Sequence, residues 1–177
     1  MKRKIYTQIN IDNFKLKSSN EEIFNSEEHS KISELKLKNE SINTRKDLIK
    51  HSLKNNFKKK FQKFYFLIDK IVKGNHKKIL SLGSGIGDLE YFLSLSLNND
   101  QKLYAAEFDK YLVKKSNEFF DEFETFEFNF FNDSFQDIQH KFDLVYSFGS
   151  FYVMDNNQFI KLLKNMKASG VKEIIDF

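Results

Sequence analysis

The stretch from Lys78 to Glu90, Lys-Ile-Leu-Ser-Leu-Gly-Ser-Gly-Ile-Gly-Asp-Leu-Glu, constrains the chain more than any other. A short apolar run breaks into three alternate glycines, Gly83, Gly85 and Gly87, and then resumes at helical spacing. The pattern predicts a strand, a tight turn and a helix start. Alternate glycines let the backbone take positive φ and bring main-chain N–H groups against a ligand with no Cβ in the way. The helix start adds a partial positive charge beside them, so a nucleotide-like ligand is the first expectation.

The spacing narrows the choice. A dinucleotide fingerprint wants G-x-G-x-x-G, but here the third glycine arrives one residue early and Asp88 holds its place. The Gly-Lys-Ser/Thr of a phosphate-cradling loop is absent. About twenty residues on, Lys102-Leu-Tyr-Ala-Ala-Glu-Phe-Asp109 reads as a second strand ending in acids. A carboxylate there suits a ribose, because it accepts hydrogen bonds from two adjacent hydroxyls at once. Taken alone, the same acid is an ordinary solvated residue at a strand end.

Hydrophobic-x-Leu-Gly-x-Gly-x-Gly followed by the acid-tipped strand resembles the class I S-adenosylmethionine (SAM)-dependent methyltransferases. Three further segments fall in the order of that family. Phe126 to Phe131 is a third strand candidate, followed by Asn132-Asp133-Ser134; Phe142 to Ser147 is a fourth; Glu173 to Phe177 starts a fifth. Between the last two, Phe159, Ile160, Leu163 and Met166 form a helical stripe opened by Asp155 or Asn156 as a cap. The resemblance covers about residues 75 to 177. It implies an α/β fold with a doubly wound, mainly parallel sheet and SAM as cofactor. It places Leu82, Gly83, Ser84, Gly85 and Gly87 beneath the methionine and ribose, Glu107 on the ribose and Phe108 on the adenine. Asp133 would face the adenine amino group, and Ser147 would close the site at the end of the fourth strand.

Two departures follow. Ser81 stands where relatives carry an acid that orients the cofactor's amino group. Glu90 either supplies that charge or is a solvated helix residue, and the sequence leaves both open. The family's sheet has seven strands, whereas this sequence stops within the fifth. The unfinished edge suggests a truncated chain, a noncatalytic remnant, or an edge covered by the N-terminal segment or by a second copy.

Methyl transfer demands alignment more than side-chain chemistry. No cysteine is present, which excludes disulfides, thiolate zinc sites and covalent pyrimidine chemistry. The loop Ser147-Phe148-Gly149-Ser150 lacks the Asp/Asn-Pro-Pro-aromatic of enzymes that methylate base or glutamine nitrogens. Tyr152 and Asp155 are the substrate-side candidates. His76 and His140 precede strands and are expected on the surface away from the site; His29 and His51 reach it only if the N-terminal segment is a lid. No metal site is expected, and the acceptor is expected to be a small molecule.

Residues 1–40 are polar, without clear periodicity, and are expected to be partly disordered or to form a short helix from Ser30 to Leu37. Residues 41–177 form the binding domain. It opens with a lead-in helix over about 45–73, marked by Ile49, Leu53, Phe57, Phe61, Phe64, Ile68 and Ile71 and stopped at Gly74. Residues 45–78 hold 12 Lys and Arg against two Asp, leaving 17 basic and 23 acidic residues elsewhere. Such a pole suits RNA, but a solvated lysine-rich helix face explains it without a partner and is preferred. The 17 Asn, 21 Phe and three Ala point to an AT-rich genome rather than to function. No apolar run spans a membrane and no signal peptide opens the sequence, so a cytoplasmic location is expected.

Overall fold

A computed structural model describes residues 26–54 and 57–176, apart from the side chains of residues 57–63 and 152. Five strands form one sheet: β1 (Lys78–Leu82), β2 (Lys102–Glu107), β3 (Glu124–Glu127), β4 (Leu144–Ser147) and β5 (Glu173–Asp176). Their order is β3-β2-β1-β4-β5 and every pairing is parallel. The helices are α1 (Ser26–Asn39), α2 (Arg45–Lys54), α3 (Phe57–Lys73), α4 (Asp88–Ser94), α5 (Lys110–Phe119) and α6 (Asn156–Ala168).

Side chains alternate across each strand, so apolar strands buried on both faces divide into two cores. Ile79, Leu103, Ala105, Leu144 and Tyr146 meet Phe64, Leu67, Ile71 and Leu93 on one face. Leu80, Leu82, Tyr104, Ala106 and Val145 meet Phe142, Leu162 and Met166 on the other. This is the doubly wound arrangement expected. Strand order reverses between β1 and β4, and in open α/β sheets that reversal leaves a crevice at the carboxyl ends of the strands.

Several expected elements shift. The third strand is Glu124–Glu127, not 126–131, and the chain turns away from the sheet at Phe128. The N-terminal helix runs from Ser26 to Asn39, longer at both ends than 30–37, while residues 1–25 lie outside the description. The lead-in segment is described as two helices flanking residues 55 and 56. Leu48 is the core residue of α2, whereas Leu53 is exposed. In α6 the buried pair is Leu162 and Met166, and Ile160 faces solvent. Asp155 caps α6 in a capping box: its Oδ1 accepts from Gln158 N at 2.8 Å, and Gln158 Oε1 accepts from Asp155 N at 3.0 Å.

Polar contacts fasten the elements. Asp143 accepts from Lys77 N, Lys78 N and Lys172 Nζ at 3.0, 3.1 and 2.7 Å, joining the starts of β1 and β5. Arg45 pairs with Glu122 and lies 4.4 Å from the Tyr91 ring centre, holding α2 against α4. No described helix is long and apolar enough to cross a membrane.

Candidate functional site

The crevice is built from the turn after β1, the end of β2 and the end of β4. All three glycines of the turn have positive φ, at +76°, +60° and +86° for Gly83, Gly85 and Gly87, yet each serves a different need. A Cβ on Gly83 would lie 2.2 Å from Ser150 Oγ, and Ser150 Oγ donates to Gly83 O at 3.1 Å, so this glycine admits the loop after β4. A Cβ on Gly87 would lie 2.8 Å from Phe123 Cζ and 3.0 Å from Ser116 Oγ, so this one admits the core beneath α5. A Cβ on Gly85 would meet nothing within 4 Å. The middle glycine therefore borders the open space that a ligand would fill. Gly83 N and Ser84 N both donate to Ala106 O, at 2.8 and 3.2 Å, and hold the turn against β2.

Glu107 ends β2 and is 5% exposed. Its Oε1 accepts from Phe108 N and Asp109 N at 2.9 and 3.1 Å, and its Oε2 accepts from Gly85 N at 2.8 Å. Burial raises its pKa above the usual carboxylate value, against the pull of these three N–H groups. Oε1 thus has both lone pairs engaged, and Oε2 has one to offer. One hydroxyl fits Glu107 as it stands; a second requires the Gly85 N–H to be displaced.

Phe108 is half-buried beside the N-terminal helix. His29 meets its ring edge-on at 4.9 Å, and Ser26 Oγ donates to Phe108 O at 2.9 Å. Ser30 and Ser33 each donate to the Asp109 carboxylate at 2.6 Å, and Asp109 also caps α5 through Tyr111 N and Leu112 N. Helix α1 therefore covers the exit of β2. Its sequence carries no periodic signal of this, because its contacts with the end of β2 are made by serines and His29, and Leu37 is its one buried apolar residue.

Ser81 and Glu90, set side by side by the sequence reading, meet: Ser81 Oγ donates to Glu90 Oε1 at 2.6 Å. Glu90 is 2% exposed, which removes the solvated alternative. Tyr146 OH donates to the same oxygen at 3.0 Å. Burial pushes the Glu90 carboxyl up to about 7.

The other candidates lie apart. Asp133 is exposed, accepts from Asn129 N at 2.6 Å, and lines a 460 Å³ cavity with Glu124, Phe126, Glu127, Phe128 and His140. That cavity flanks β3 and includes neither Glu107 nor the glycines. Ser147 is fully buried at the end of β4, and Leu82 is core. Tyr152 belongs to a 3-10 turn over Phe151–Val153, but its side chain lies outside the description; the Asp155 carboxylate is engaged in capping. His76 and His140 stand at the amino ends of strands, away from the crevice, as partly exposed residues that pack on their neighbours. His76 Nε2 is 3.1 Å from Glu173, and the His140 ring is 4.5 Å from that of Tyr104. His51 lies 3.4 Å from Glu40. No cluster among the described residues has the makings of a metal site.

The polar inventory fits a polar ligand. Open space faces Gly85, a buried acid ends β2, and among the described residues three buried side-chain oxygens have no hydrogen-bond partner: Ser84 Oγ, Glu90 Oε2 and Ser147 Oγ. No sequence-family description and no curated protein matches the chain. Solved structures do. The plantazolicin methyltransferase BpumL, solved with a pentazolic desmethylPZN analogue and S-adenosylhomocysteine (SAH), has a TM-score of 0.53 and 15% identity over 89% of this chain and 62% of its own. The SAH-bound methyltransferase PaMTH1 of Podospora anserina has a TM-score of 0.50 and 15% identity over 64% and 50%. CalS10, the SAM-bound amino pentose methyltransferase of Micromonospora echinaspora, has a TM-score of 0.50 and 12% identity over 61% and 45%. This chain thus spans between 45% and 62% of their lengths. At these identities the likeness is one of fold. The fold is the Rossmann-like α/β fold of the class I SAM-dependent methyltransferases.

Proposed function

We propose that the crevice binds SAM and that the protein transfers its methyl group to a small-molecule acceptor by direct in-line displacement. The observation that carries this reading is the open face of Gly85 set against the buried acid Glu107, at the reversal point of an all-parallel sheet. When bound, SAM supplies an electrophilic methyl group on a sulfonium, so the protein's tasks are to hold, orient and exclude water. The turn after β1 gives backbone contact, Glu107 has an oxygen for one ribose hydroxyl, and Phe108 offers a ring to the base. The small-molecule substrates of BpumL and CalS10 support the acceptor class. Pairing of two copies along the β5 edge and a cytoplasmic location complete the proposal. The Lys-rich segment 45–78 is read as a solvated face and not as a nucleic-acid surface.

A second reading, a SAM-fold module without transfer activity, is favoured by one observation: the Asp155 carboxylate is engaged as a helix cap. Calorimetric titration with SAM, SAH and NAD tests the first point. SAM and SAH should bind and NAD should not. Gly85→Val should remove SAM binding while circular dichroism stays unchanged, and Glu107→Ala should weaken it by about 1–3 kcal/mol. Normal SAM binding by Gly85→Val refutes the assignment of the turn. SAM binding without turnover across an acceptor panel supports the second reading.

A further inference from the structure

The corner Glu107-Phe108-Asp109 is used from two sides. On the crevice side, Phe108 N and Asp109 N hold Glu107 Oε1, while Oε2 reaches Gly85 N. On the other side, helix α1 grips the same two residues. Ser26 Oγ donates to Phe108 O, the His29 ring stands edge-on to the Phe108 ring, and Ser30 and Ser33 donate one hydroxyl each to the two Asp109 carboxylate oxygens. Asp109 is 1% exposed under this cover. The N–H groups that orient the crevice acid and the groups that dock the helix thus belong to one pair of residues, so a shift on one side is felt on the other.

The helix is the weaker member of this arrangement. Its one buried residue, Leu37, lies near its far end, and Ile32 and Leu35 are exposed, so its first two turns are held by polar contacts more than by apolar burial. A 14-residue helix is marginal alone in water, and segments with few buried apolar contacts open locally at far lower cost than the core. On opening, the Asp109 carboxylate loses two hydroxyl donors and Phe108 loses the ring against it. A ligand that uses Glu107 and Phe108 therefore meets a better-ordered seat when α1 is docked, and linkage makes that preference mutual. We infer that α1 is a ligand-coupled latch: docking of its first two turns on Phe108 and Asp109 and occupancy of the crevice by the nucleoside part of the ligand stabilise each other. This rests on reading the crevice as a SAM site.

Hydrogen exchange of the full chain, with and without SAH at about a hundred times its Kd, tests this. Amides of β1 exchange through global unfolding and should slow about a hundredfold on binding. Amides of residues 30–37, which exchange through opening of α1 alone, should slow by at least about fivefold, the lower end of usual coupling factors. Methylthioadenosine, which keeps the nucleoside but lacks the amino acid, should slow them to the same degree at equal saturation. Ser30→Asp/Ser33→Asp sets two like charges against Asp109 and should undock α1. SAH should then bind more weakly by the same factor by which it slows α1 exchange in the wild-type protein. Slowing in β1 with less than about fivefold slowing across residues 30–37 overturns this inference alone, as does slowing there by SAH but not by methylthioadenosine, or wild-type SAH affinity in a variant whose α1 amides exchange unprotected. The wild-type comparison decides the matter should that variant fail to fold. No slowing in β1 means that SAH does not bind, which overturns the site reading and this inference with it.

Discussion

Alanine at Gly85 should cost mainly ligand binding, and alanine at Gly87 mainly stability. Both positions have positive φ, which costs an alanine about 1–2 kcal/mol. At Gly85 nothing else is added, since its Cβ meets no atom within 4 Å. At Gly87 the Cβ lies 2.8 Å from Phe123 and 3.0 Å from Ser116. Neither neighbour can yield easily, because Phe123 is buried and stacked on Phe120, and the Ser116 hydroxyl is bonded to that of Thr125 at 2.7 Å. Overpacking of this kind costs about 1–3 kcal/mol, bringing the total for Gly87→Ala to about 2–5 kcal/mol. For a domain of this size 1 kcal/mol moves Tm by about 2–4 °C. Gly85→Ala should therefore lose about 2–8 °C and Gly87→Ala about 4–20 °C in a thermal melt. SAH at a hundred times its Kd should stabilise the wild-type protein by about 2.7 kcal/mol. Gly87→Ala should keep that increment above its own baseline and Gly85→Ala should lose it. If Gly85→Ala keeps the increment, or loses more stability than Gly87→Ala, the assignment of the two glycines is refuted.

Lys172 and the two backbone N–H groups hold the Asp143 carboxyl down to about 2, below its unfolded value of 3.8, so its contribution is complete above about pH 4 and is lost as the pH falls toward 2. With discounting for partial exposure, Asp143→Asn should cost about 1–2 kcal/mol at pH 7 and almost nothing at pH 2, read as urea midpoints; an equal deficit at both would rule out the charge as the cause. Removing both serine donors to Asp109 in Ser30→Ala/Ser33→Ala should cost about 1–3 kcal/mol and speed hydrogen exchange across Ser26–Asn39. Unchanged exchange there would mean that other contacts hold α1.

What could be read from sequence followed the strength of the local signal. Strands β1 and β2, the glycine turn and Asp155 as a cap announce themselves through apolar runs, turn residues and capping chemistry, and they stand as expected. Where apolar residues are crowded, the pattern misleads. Phenylalanine continues from Phe126 through Phe131, but the pairing with β2 ends at Glu127, and Phe128 enters the core from a loop. Ile160 fits a helical stripe as well as Leu162 does, and only the direction of the sheet selects between them. Glu90 was undecided because the sequence gives its spacing from Ser81 and not the tyrosine on β4 that completes its burial. The use of Gly83 and Gly87 as space for Ser150 and Phe123 was equally hidden, since both partners arrive from distant segments.

Helix α1 carries a consequence for the order of assembly. Its anchors are Phe108 and Asp109, about eighty residues downstream, and at roughly 5–20 residues per second these follow about 4–16 s later. Through that interval a 14-residue helix with exposed Ile32 and Leu35 is too short to be stable alone and has nothing to dock on. During synthesis, the first described helix to leave the ribosome thus waits for β2 and α5. A nascent chain stalled before Asp109 should present this segment, unprotected, to chaperones and proteases.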